Sequence, residues 1–561
     1  MDGNLLSRNL NFAKIIPRME LFIQKLVEKG FRKQHSPTNT NIMPISSKDR
    51  GWELIVDNIL FSFTMRDCSF LHLNPKIIAQ PRTTTQLQII VKNAHELQIP
   101  LTFASGKTGL SGGFANPFML VDLEYLSTLA KPYTFDEKNA MILADQSVLI
   151  SELIRVVQIR MNNKYIFPCQ PSSAFKLPVR LGGLISTNAS GITSGKLGPI
   201  ENWVERMLVI LPTGEIRELK RNTEIGNHEP AKQSQSQSQF NLFDQIIGGM
   251  GLYGVVLNAQ IQLAPIPNPK EMKYYALFGS DFSFIFDALQ QIQNKQIFPL
   301  NCEFVSATTS IPGLFQNLSP SETVRWIILI KDTHVVTDEF LNTVKNYGKC
   351  GIQSLSSSEY QLYLEERTGL AIQTKSTDPE QEFLRFPGFE DLLMAPEKLK
   401  AVFDEINYQF KQFRFPPLIV AYGHLNFRRG QGSLLHIRIP VNVSKLANDP
   451  LKIYHQIARI IAKMNFLLEQ KYQIRPKAEH STGMFTFWHA RQNLPYFLSL
   501  LQEGKMVYSP HLFLFLQLCS QMGINRNDPF PNAKAEELLV KLTFMYLANK
   551  DKFSSNYLLG K

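Results

Sequence analysis

Short β-rich runs alternate with helical runs from about Pro75 onward. Apolar residues recur at helical spacing in TTTQLQIIVKNAHELQ, which opens on an N-cap-like threonine cluster, and in VLISELIRVVQIRM. The patterns of PLTFAS, FMLVDL, NAMILAD and VVLNAQIQLAPIP predict strands, and ERMLVILPTGEIREL predicts two strands joined by a Pro-Thr-Gly turn. The mixture returns further on, where KYYALFG, PLNCEFV and RWIILIKD predict strands and FSFIFDALQQIQN predicts a helix.

Changes in composition divide the chain into four predicted segments. Residues 1–70 form an N-terminal helical extension around RMELFIQKLVEKGF, and the proline-rich stretch APIPNPK closes the first β-rich domain, 71–265. A second mixed domain covers 266–490, and a helical segment, 491–561, is expected to pack on the first domain. The polar repeat SQSQSQF at 234–240 predicts a solvated insertion.

The overall composition is that of a folded soluble protein. The 561 residues are 44% hydrophobic and 19% charged, with a formal net charge of +11. Lysines and arginines are scattered, with no run longer than two, so we expect no nucleic-acid partner. A diffuse basic surface favours anionic substrates, and peripheral contact with anionic lipid is the second alternative.

Cysteines and apolar runs bear on the compartment. None of the five cysteines forms a Cys-x-x-Cys pair, so iron–sulfur and zinc–thiolate sites are not expected. An odd, sparse set fits a reducing compartment. No segment has the run of about 18 uncharged apolar residues that spans a bilayer, and the N-terminus lacks a secretory pattern. A cytoplasmic location is expected, with attachment to the inner face of the membrane left open.

The stretch ASGKTGLSGG, 104–113, carries four glycines directly after a predicted strand. Its spacing fits neither a phosphate-binding P-loop nor the G-x-G-x-x-G dinucleotide motif, so it could be a plain turn. Two more small-residue loops, LGGLISTNASG and GGMGLYGVV, also adjoin strands. Three such loops in one β-rich domain favour a long ligand that lies against the backbone, with hydroxyl and amide groups binding its phosphates.

The order of these motifs resembles the D-2-hydroxyacid dehydrogenases of the vanillyl-alcohol-oxidase superfamily, which include D-lactate dehydrogenase, D-2-hydroxyglutarate dehydrogenase and the D subunit of glycolate oxidase. ASGKTGLSGG, FPCQPSS, LGGLISTNASG and GGMGLYGVV are similar to motifs of the family's flavin domain. PLNCEF, FEDLLMAPEKL, YGHLNFRRGQGSLLHIRIP and KAEHSTG are similar to motifs of its C-terminal half. The resemblance implies an α+β fold: a two-subdomain PCMH-type FAD-binding domain, then a cap domain with an antiparallel sheet and helices.

The same resemblance implies noncovalent FAD, since no histidine or cysteine of the first loop is placed for attachment. The cofactor-binding residues that it implies are Ser105, Gly106, Lys107, Thr108, Gly109, Leu110, Ser111, Gly112, Pro171, Ser172, Gly182, Gly183, Thr187, Asn188, Val255 and Val256.

Catalytic residues follow from the family motifs in the same way. His480 is the implied base for the substrate hydroxyl, because imidazole titrates near neutral pH. Arg367 and Arg385 are candidates for binding the substrate carboxylate, which arginine pairs with bidentately. Exposed surface arginines are the alternative reading of each.

A divalent metal, zinc, manganese or iron, is implied at His424, His436 and Glu479, where it would lower the pKa of the substrate hydroxyl. Eleven residues separate the two histidines, against six in the family motif, and FRRGQ looks inserted. The pair could converge across a bulging loop, or be two ordinary strand and turn histidines.

The expected activity is oxidation of a D-2-hydroxy acid to the 2-oxo acid by hydride transfer to flavin. The electron acceptor would be a separate quinone, electron-transfer protein or oxygen. Met250 replaces the glutamate of the family's G-S-E-G motif, and Lys477, Ala478 and Ser481 also depart from the pattern on the catalytic side. A related flavoenzyme acting on a sugar or alcohol, or a degenerate flavoprotein with an interaction role, is therefore an open alternative.

Overall fold

The structure is a computed structural model. It describes residues 15–29, 32–35, 53–56, 75, 77–109, 113–114, 116, 118–221, 241–281, 284–307, 324–373, 383–387, 391–415, 420–427, 432–442 and 448–476. The predicted C-terminal segment and the polar repeat lie outside these ranges.

The N-terminal part forms a five-stranded sheet with helices beside it. The strand order is β1-β2-β3-β5-β4, and β3 and β4 both run parallel to β5. Helix α2 begins at the threonine cluster because Thr83 and Gln86 form a capping box. The elements are α1 (Ile15–Glu28), β1 (Arg32–His35), β2 (Glu53–Val56), β3 (Ile77–Ala79), α2 (Thr84–Leu97), β4 (Leu101–Ala104) and β5 (Met119–Asp122).

A second five-stranded sheet is antiparallel, in the order β10-β9-β11-β7-β6. The two sheets and the helices between them share one apolar core. The elements are β6 (Tyr133–Asp136), β7 (Met141–Asp145), α3 (Ile150–Arg160), β8 (Tyr165–Ile166), α4 (Leu181–Ser186), α5 (Ser194–Leu197), β9 (Val204–Ile210), β10 (Ile216–Lys220), α6 (Leu242–Ile246), β11 (Val255–Gln262) and β12 (Ala264–Pro265).

The C-terminal part is built on a nine-stranded antiparallel sheet, in the order β16-β13-β15-β14-β19-β20-β18-β21 with β17 paired to β20. Its elements are β13 (Met272–Gly279), α7 (Ile285–Asn294), β14 (Asn301–Ala307), β15 (Trp326–Thr333), α8 (His334–Lys345), β16 (Gly351–Leu355), α9 (Ser357–Gln373), β17 (Phe383–Pro387), β18 (Leu392–Met394), α10 (Leu399–Gln412), β19 (Val420–His424), β20 (Ser433–Asn442), α11 (Pro450–Tyr472) and β21 (Arg475–Pro476).

Alternate residues of this large sheet face different layers, as strand geometry requires. Ile328 and Ile330 of β15 join the main core with α7, α8 and α10. Ile327 and Leu329 face the other way, into a separate cluster with Tyr360 of α9. Helix α9 therefore covers the opposite face of the sheet, and its Arg367 donates a hydrogen bond to Ser172 of the N-terminal part.

The predicted α+β class is confirmed, and the predicted strands of residues 101–104, 119–122, 141–145 and 255–262 are present. The N-terminal extension differs from the expectation of helix alone. Its described residues hold α1, and they also give β1 and β2 to the first sheet, where β1 pairs with β2 and β2 pairs with β3, so that their backbone polar groups are satisfied. None of the helices in the described ranges is long and apolar enough to cross a membrane.

Candidate active site

A cleft of about 1530 Å³, including space open to solvent, lies between the two halves of the described chain. One wall is made by the N-terminal sheets and their loops, including residues 103–109, 171–173, 182–184 and 186–187 and the start of β11. The other wall carries side chains of the C-terminal part: Arg367, Tyr422, His424 and His436. The two predicted groups of site residues therefore face one shared space.

Two glycines of the first wall have different surroundings. A Cβ at Gly106 would lie 2.0 Å from the carbonyl oxygen of Pro178, so a side chain there cannot be fitted without moving backbone. A Cβ at Gly183 would meet nothing within 4 Å, although this residue lines the cleft. Gly106 thus lets two loops pack together. Gly183 leaves the space next to its backbone open to a ligand in the cleft.

Lys107 has a left-handed backbone with φ of 53°. Its ammonium is 3.0 Å from Asp122 and 3.6 Å from Glu124, so carboxylates already hold its charge. A non-glycine residue in this region is strained by about 1–2 kcal/mol, which the pairing with buried Asp122 offsets. Lys107 therefore ties the loop to the end of β5.

Most of the implied cofactor residues of the described chain line the cleft. They are Ser105, Gly106, Lys107, Thr108, Gly109, Pro171, Ser172, Gly182, Gly183, Thr187, Val255 and Val256. Asn188 is not part of this lining, because its side-chain amide donates to Glu201 at 2.6 Å and its amide oxygen accepts from the Glu201 backbone. Leu110, Ser111 and Gly112 lie outside the described residues.

The two histidines meet across a β-hairpin despite their long separation in sequence. Strands β19 and β20 are antiparallel, with Tyr422 opposite His436 and His424 opposite Leu434. The histidines are therefore diagonal neighbours on one face, and their ring centroids are 6.0 Å apart. The extra residues of the motif lie in the connection between the strands, so the register of the sheet brings the two rings together.

Each histidine is held by a buried carboxylate from a different strand or turn. Nδ1 of His424 is 2.6 Å from Glu303, and Nδ1 of His436 is 2.8 Å from Asp391. When the carboxylate accepts from Nδ1–H, a neutral ring carries its lone pair on Nε2. This carboxylate–histidine pairing is the arrangement that orients metal-ligating histidines in proteins.

Glu303 also pairs with Arg367, a residue of α9. Its Oε2 is 2.8 Å from Nε of the arginine, an ion pair whose alignment is not that of a hydrogen bond, and both side chains are almost fully buried. Burial raises the pKa of the Glu303 carboxyl, but Arg367 and His424 together hold that pKa below its ordinary value. Glu303 is therefore the ionised centre of this cluster.

Arg367 extends from this ion pair toward the N-terminal wall. Its Nη1 donates to the hydroxyl of Ser172 at 3.0 Å, and its guanidinium lies 5.2 Å from the Tyr422 ring centroid. Its Nη2 is buried and has no hydrogen-bond partner among the described residues. An arginine with an uncommitted Nη2 can donate hydrogen bonds to a carboxylate that enters the cleft.

The other implied catalytic residues are placed less fully. Arg385 belongs to β17, where it is opposite Pro440 of β20, and nothing further is described of its side chain. Glu479 and His480 lie outside the described residues. Within the described ranges, no group of three ligating side chains converges on one point, so His424 and His436 form a pair whose implied third ligand lies beyond them.

Sequence reasoning assigned no role to several residues that the structure brings to this site. Glu303 and Asp391 hold the histidines, and Gln146 and Arg180 line the N-terminal wall. Glu303 and Asp391 stand inside PLNCEF and FEDLLMAPEKL, two motifs that already carried the resemblance. An acidic residue within each motif was the available signal, because buried carboxylates need partners.

Comparison with known proteins matches the N-terminal wall to one family. Residues 75–220 match the model of the FAD binding domain family. The chain is 24% identical over 424 residues to D-2-hydroxyglutarate dehydrogenase of Stutzerimonas stutzeri, which covers 73% of this chain and 83% of that enzyme. It is 26% identical over 215 residues to D-lactate dehydrogenase of Anaerostipes hadrus, covering 38% of this chain but only 42% of that enzyme.

Solved structures show the same fold at lower identity. A 4-ethylphenol oxidase from Gulosibacter chungangensis aligns with a TM-score of 0.57 and 14% identity, over 82% of this chain and 95% of the oxidase. An alkyldihydroxyacetonephosphate synthase aligns with a TM-score of 0.54 and 15% identity, over 78% of each chain. Residues 75–220 thus match the FAD binding domain family, and the chain is similar to D-2-hydroxyglutarate dehydrogenase and D-lactate dehydrogenase.

Proposed function

We propose that the protein is an FAD-dependent oxidoreductase that oxidises a D-2-hydroxy acid, in the range of D-lactate, glycolate and D-2-hydroxyglutarate, to the 2-oxo acid. The observation that carries the proposal is that two chemically different walls face each other across one cleft. A glycine-lined FAD-type wall faces a buried arginine and two carboxylate-bound histidines. This is the set of groups that a 2-hydroxy acid requires beside a redox cofactor.

The N-terminal wall fits FAD. Gly183 leaves open space at the floor of the cleft, and Nε of Arg180 is buried there without a hydrogen-bond partner among the described residues. Ser105 and Thr108 lie along the wall as hydroxyl donors for phosphates. When bound, FAD supplies the acceptor for the hydride.

The C-terminal wall supplies the groups for the acid. Arg367 binds the substrate carboxylate through its outer nitrogen atoms. Nε2 of His424 or His436 would accept a hydrogen bond from the substrate hydroxyl, or the two histidines would hold a divalent metal together with Glu479. His480 accepts the hydroxyl proton. The two histidines fit zinc, manganese or iron as ligands, and that ion would lower the pKa of the hydroxyl.

The reduced enzyme passes its electrons to a separate acceptor: a quinone, an electron-transfer protein or oxygen. Cys169, Cys302 and Cys350 form no disulfide within the described chain, and Cys169 and Cys302 are buried. The spacing of the five cysteines gives no cluster-binding motif.

The test is the visible absorbance spectrum of the FAD-loaded protein without oxygen, before and after D-lactate, D-2-hydroxyglutarate and their L-forms. We expect the flavin band to bleach with a D-acid and not with its L-form. Arg367→Gln should raise the half-saturating concentration by about 10-fold or more. Arg206→Gln is the matched control: Arg206 is a half-buried arginine of β9 outside the cleft, so this variant should turn over substrate as the unmodified protein does.

Three other results would redirect the assignment. A flavin band that bleaches only with a sugar or alcohol would name a different substrate class. A flavin band that no donor bleaches would indicate a non-catalytic flavoprotein. Failure to bind FAD after reconstitution would refute the proposal altogether.

A further inference from the structure

One buried carboxylate connects both halves of the substrate-binding wall. His424, Glu303, Arg367 and Ser172 form a continuous chain with successive distances of 2.6, 2.8 and 3.0 Å. The glutamate and the arginine are almost completely buried, so these contacts are little screened by water. The chain runs from the hairpin histidine, through α9, to the FAD-type wall.

The two oxygens of Glu303 do different work. Oε1 contacts His424, the proposed anchor of the substrate hydroxyl, and Oε2 pairs with Arg367, the proposed anchor of the substrate carboxylate. A 2-hydroxy acid carries its hydroxyl on the carbon next to the carboxylate, so its two anchors must lie close together. A single carboxylate that bridges both side chains sets that spacing.

Glu303 also changes what an anion gains by binding. The negative charge beside Arg367 already neutralises the guanidinium, so a plain carboxylate that meets Arg367 alone gains little net charge interaction. A 2-hydroxy acid gains the second anchor at His424 as well. Neutralisation of Arg367 lowers the affinity for every carboxylate, so the additional hydroxyl anchor at His424 decides which acids bind tightly.

We propose that Glu303 is a positioning residue that sets specificity for 2-hydroxy acids over simple carboxylates, by holding His424 and Arg367 together and neutralising Arg367. The inference rests on the proposed function, since it assigns the two anchors to one substrate. The inference assigns the selectivity to the residue that connects the histidine with the arginine, and not to either of them alone.

The substitution Glu303→Gln separates the two effects because it keeps the shape and removes the charge. Arg367 becomes an uncompensated buried cation, which favours any small carboxylate. The amide NH₂ can donate to Nδ1 of His424, and that pairing moves the ring proton to Nε2 and weakens the second anchor. Asp391→Asn is the matched control: it makes the same change beside His436 and does not touch Arg367.

The probes are 2-hydroxy-2-methylpropanoate, which has no C2 hydrogen to lose, and 2-methylpropanoate, which differs only in lacking the hydroxyl. Dissociation constants are measured by calorimetry on the FAD-loaded protein, so no turnover is needed. We expect the unmodified protein to prefer the hydroxy acid by about 10-fold or more, the value of one well-formed hydrogen bond. Glu303→Gln should bring the ratio close to one, with 2-methylpropanoate bound more tightly than before. Asp391→Asn should weaken only the hydroxy acid.

Proportional weakening of both acids in Glu303→Gln would show a merely structural role and overturn the inference, as would an unchanged ratio. If Glu303→Gln does not retain FAD, Glu303→Asp replaces it: the charge remains but one methylene is lost, so the hydroxy acid alone should bind less tightly. An unchanged ratio in that variant also refutes the inference. If the unmodified protein binds neither acid and no D-2-hydroxy acid bleaches its flavin, the proposed function itself fails.

Discussion

Gly183 permits a test in which the stability of the fold and the affinity for FAD change in opposite directions. It is the third residue of α4 and lines the cleft, and a Cβ built there meets no atom within 4 Å. Gly183→Ala therefore adds a methyl group to the space assigned to FAD without disturbing the protein around it.

The two magnitudes follow from this geometry. Alanine in place of a helical glycine stabilises a fold by about 0.5–1 kcal/mol, so the apoprotein should become slightly more stable. A methyl group added where FAD packs against the protein costs about 1–3 kcal/mol of binding free energy. This cost corresponds to a roughly 5- to 150-fold larger dissociation constant for FAD.

The assay combines urea unfolding of the apoprotein with a fluorescence titration of FAD. Gly191→Ala is the control, because its Cβ would lie 2.5 Å from the Gln170 backbone and Gly191 does not line the cleft. That variant should lose about 1–3 kcal/mol of unfolding free energy. Unchanged FAD affinity in Gly183→Ala would refute the placement of the cofactor over α4.

Three further outcomes are expected. Lys107→Met should lower the free energy of unfolding by about 1–3 kcal/mol, measured by urea denaturation, because buried Asp122 loses its cation; an unchanged midpoint would contradict the role of this ion pair. Glu405 of α10 contacts Lys471 and Tyr472 of α11. Burial raises the pKa of its carboxyl, but Gln409, Lys471 and Tyr472 together lower it by more, so the pKa lies below the ordinary 4.5. Its contribution to stability is thus present above that value and lost as pH falls through the folded-state pKa, so Glu405→Gln should flatten the acid limb of a urea-midpoint profile, and an unchanged limb would count against it. Asp391→Asn should weaken zinc binding to the FAD-loaded protein by about 10- to 100-fold in a competition titration, because His436 loses its orienting partner; equal affinity would argue against a metal at these histidines.

The first glycine loop and the strands beside it were predictable because their signals are local, whereas LGGLIS, also expected to be a loop, forms helix α4. Leu101–Ala104 and Met119–Asp122 are short apolar runs ended by polar or glycine residues, and they form adjacent parallel strands. The small residues after Ala104 mark a loop that packs against other backbone, as the contact between Gly106 and Pro178 shows. Neighbouring residues suffice for such features, since steric limits on the backbone act over a few residues.

Asn188 shows the limit of motif matching. Its position in LGGLISTNASG implied a cofactor contact, yet its left-handed backbone, with φ of 47°, accompanies a side chain paired with Glu201. Gly182, Gly183 and Thr187 of the same motif line the cleft. The backbone angles decide which side chains of this motif face the cleft, and the amino-acid sequence of the motif alone does not specify those angles.

The catalytic wall depended on contacts between residues far apart in the chain. Glu303 is 121 positions from His424, and Ser172 is 195 positions from Arg367. The eleven-residue spacing of the histidines left their meeting undecided, and the register of β19 against β20 brings them to one face. Periodicity along the chain specifies helices and strands, whereas strand pairing and helix packing specify which buried charges meet, because a buried carboxylate is stable only where the assembled fold supplies its partners.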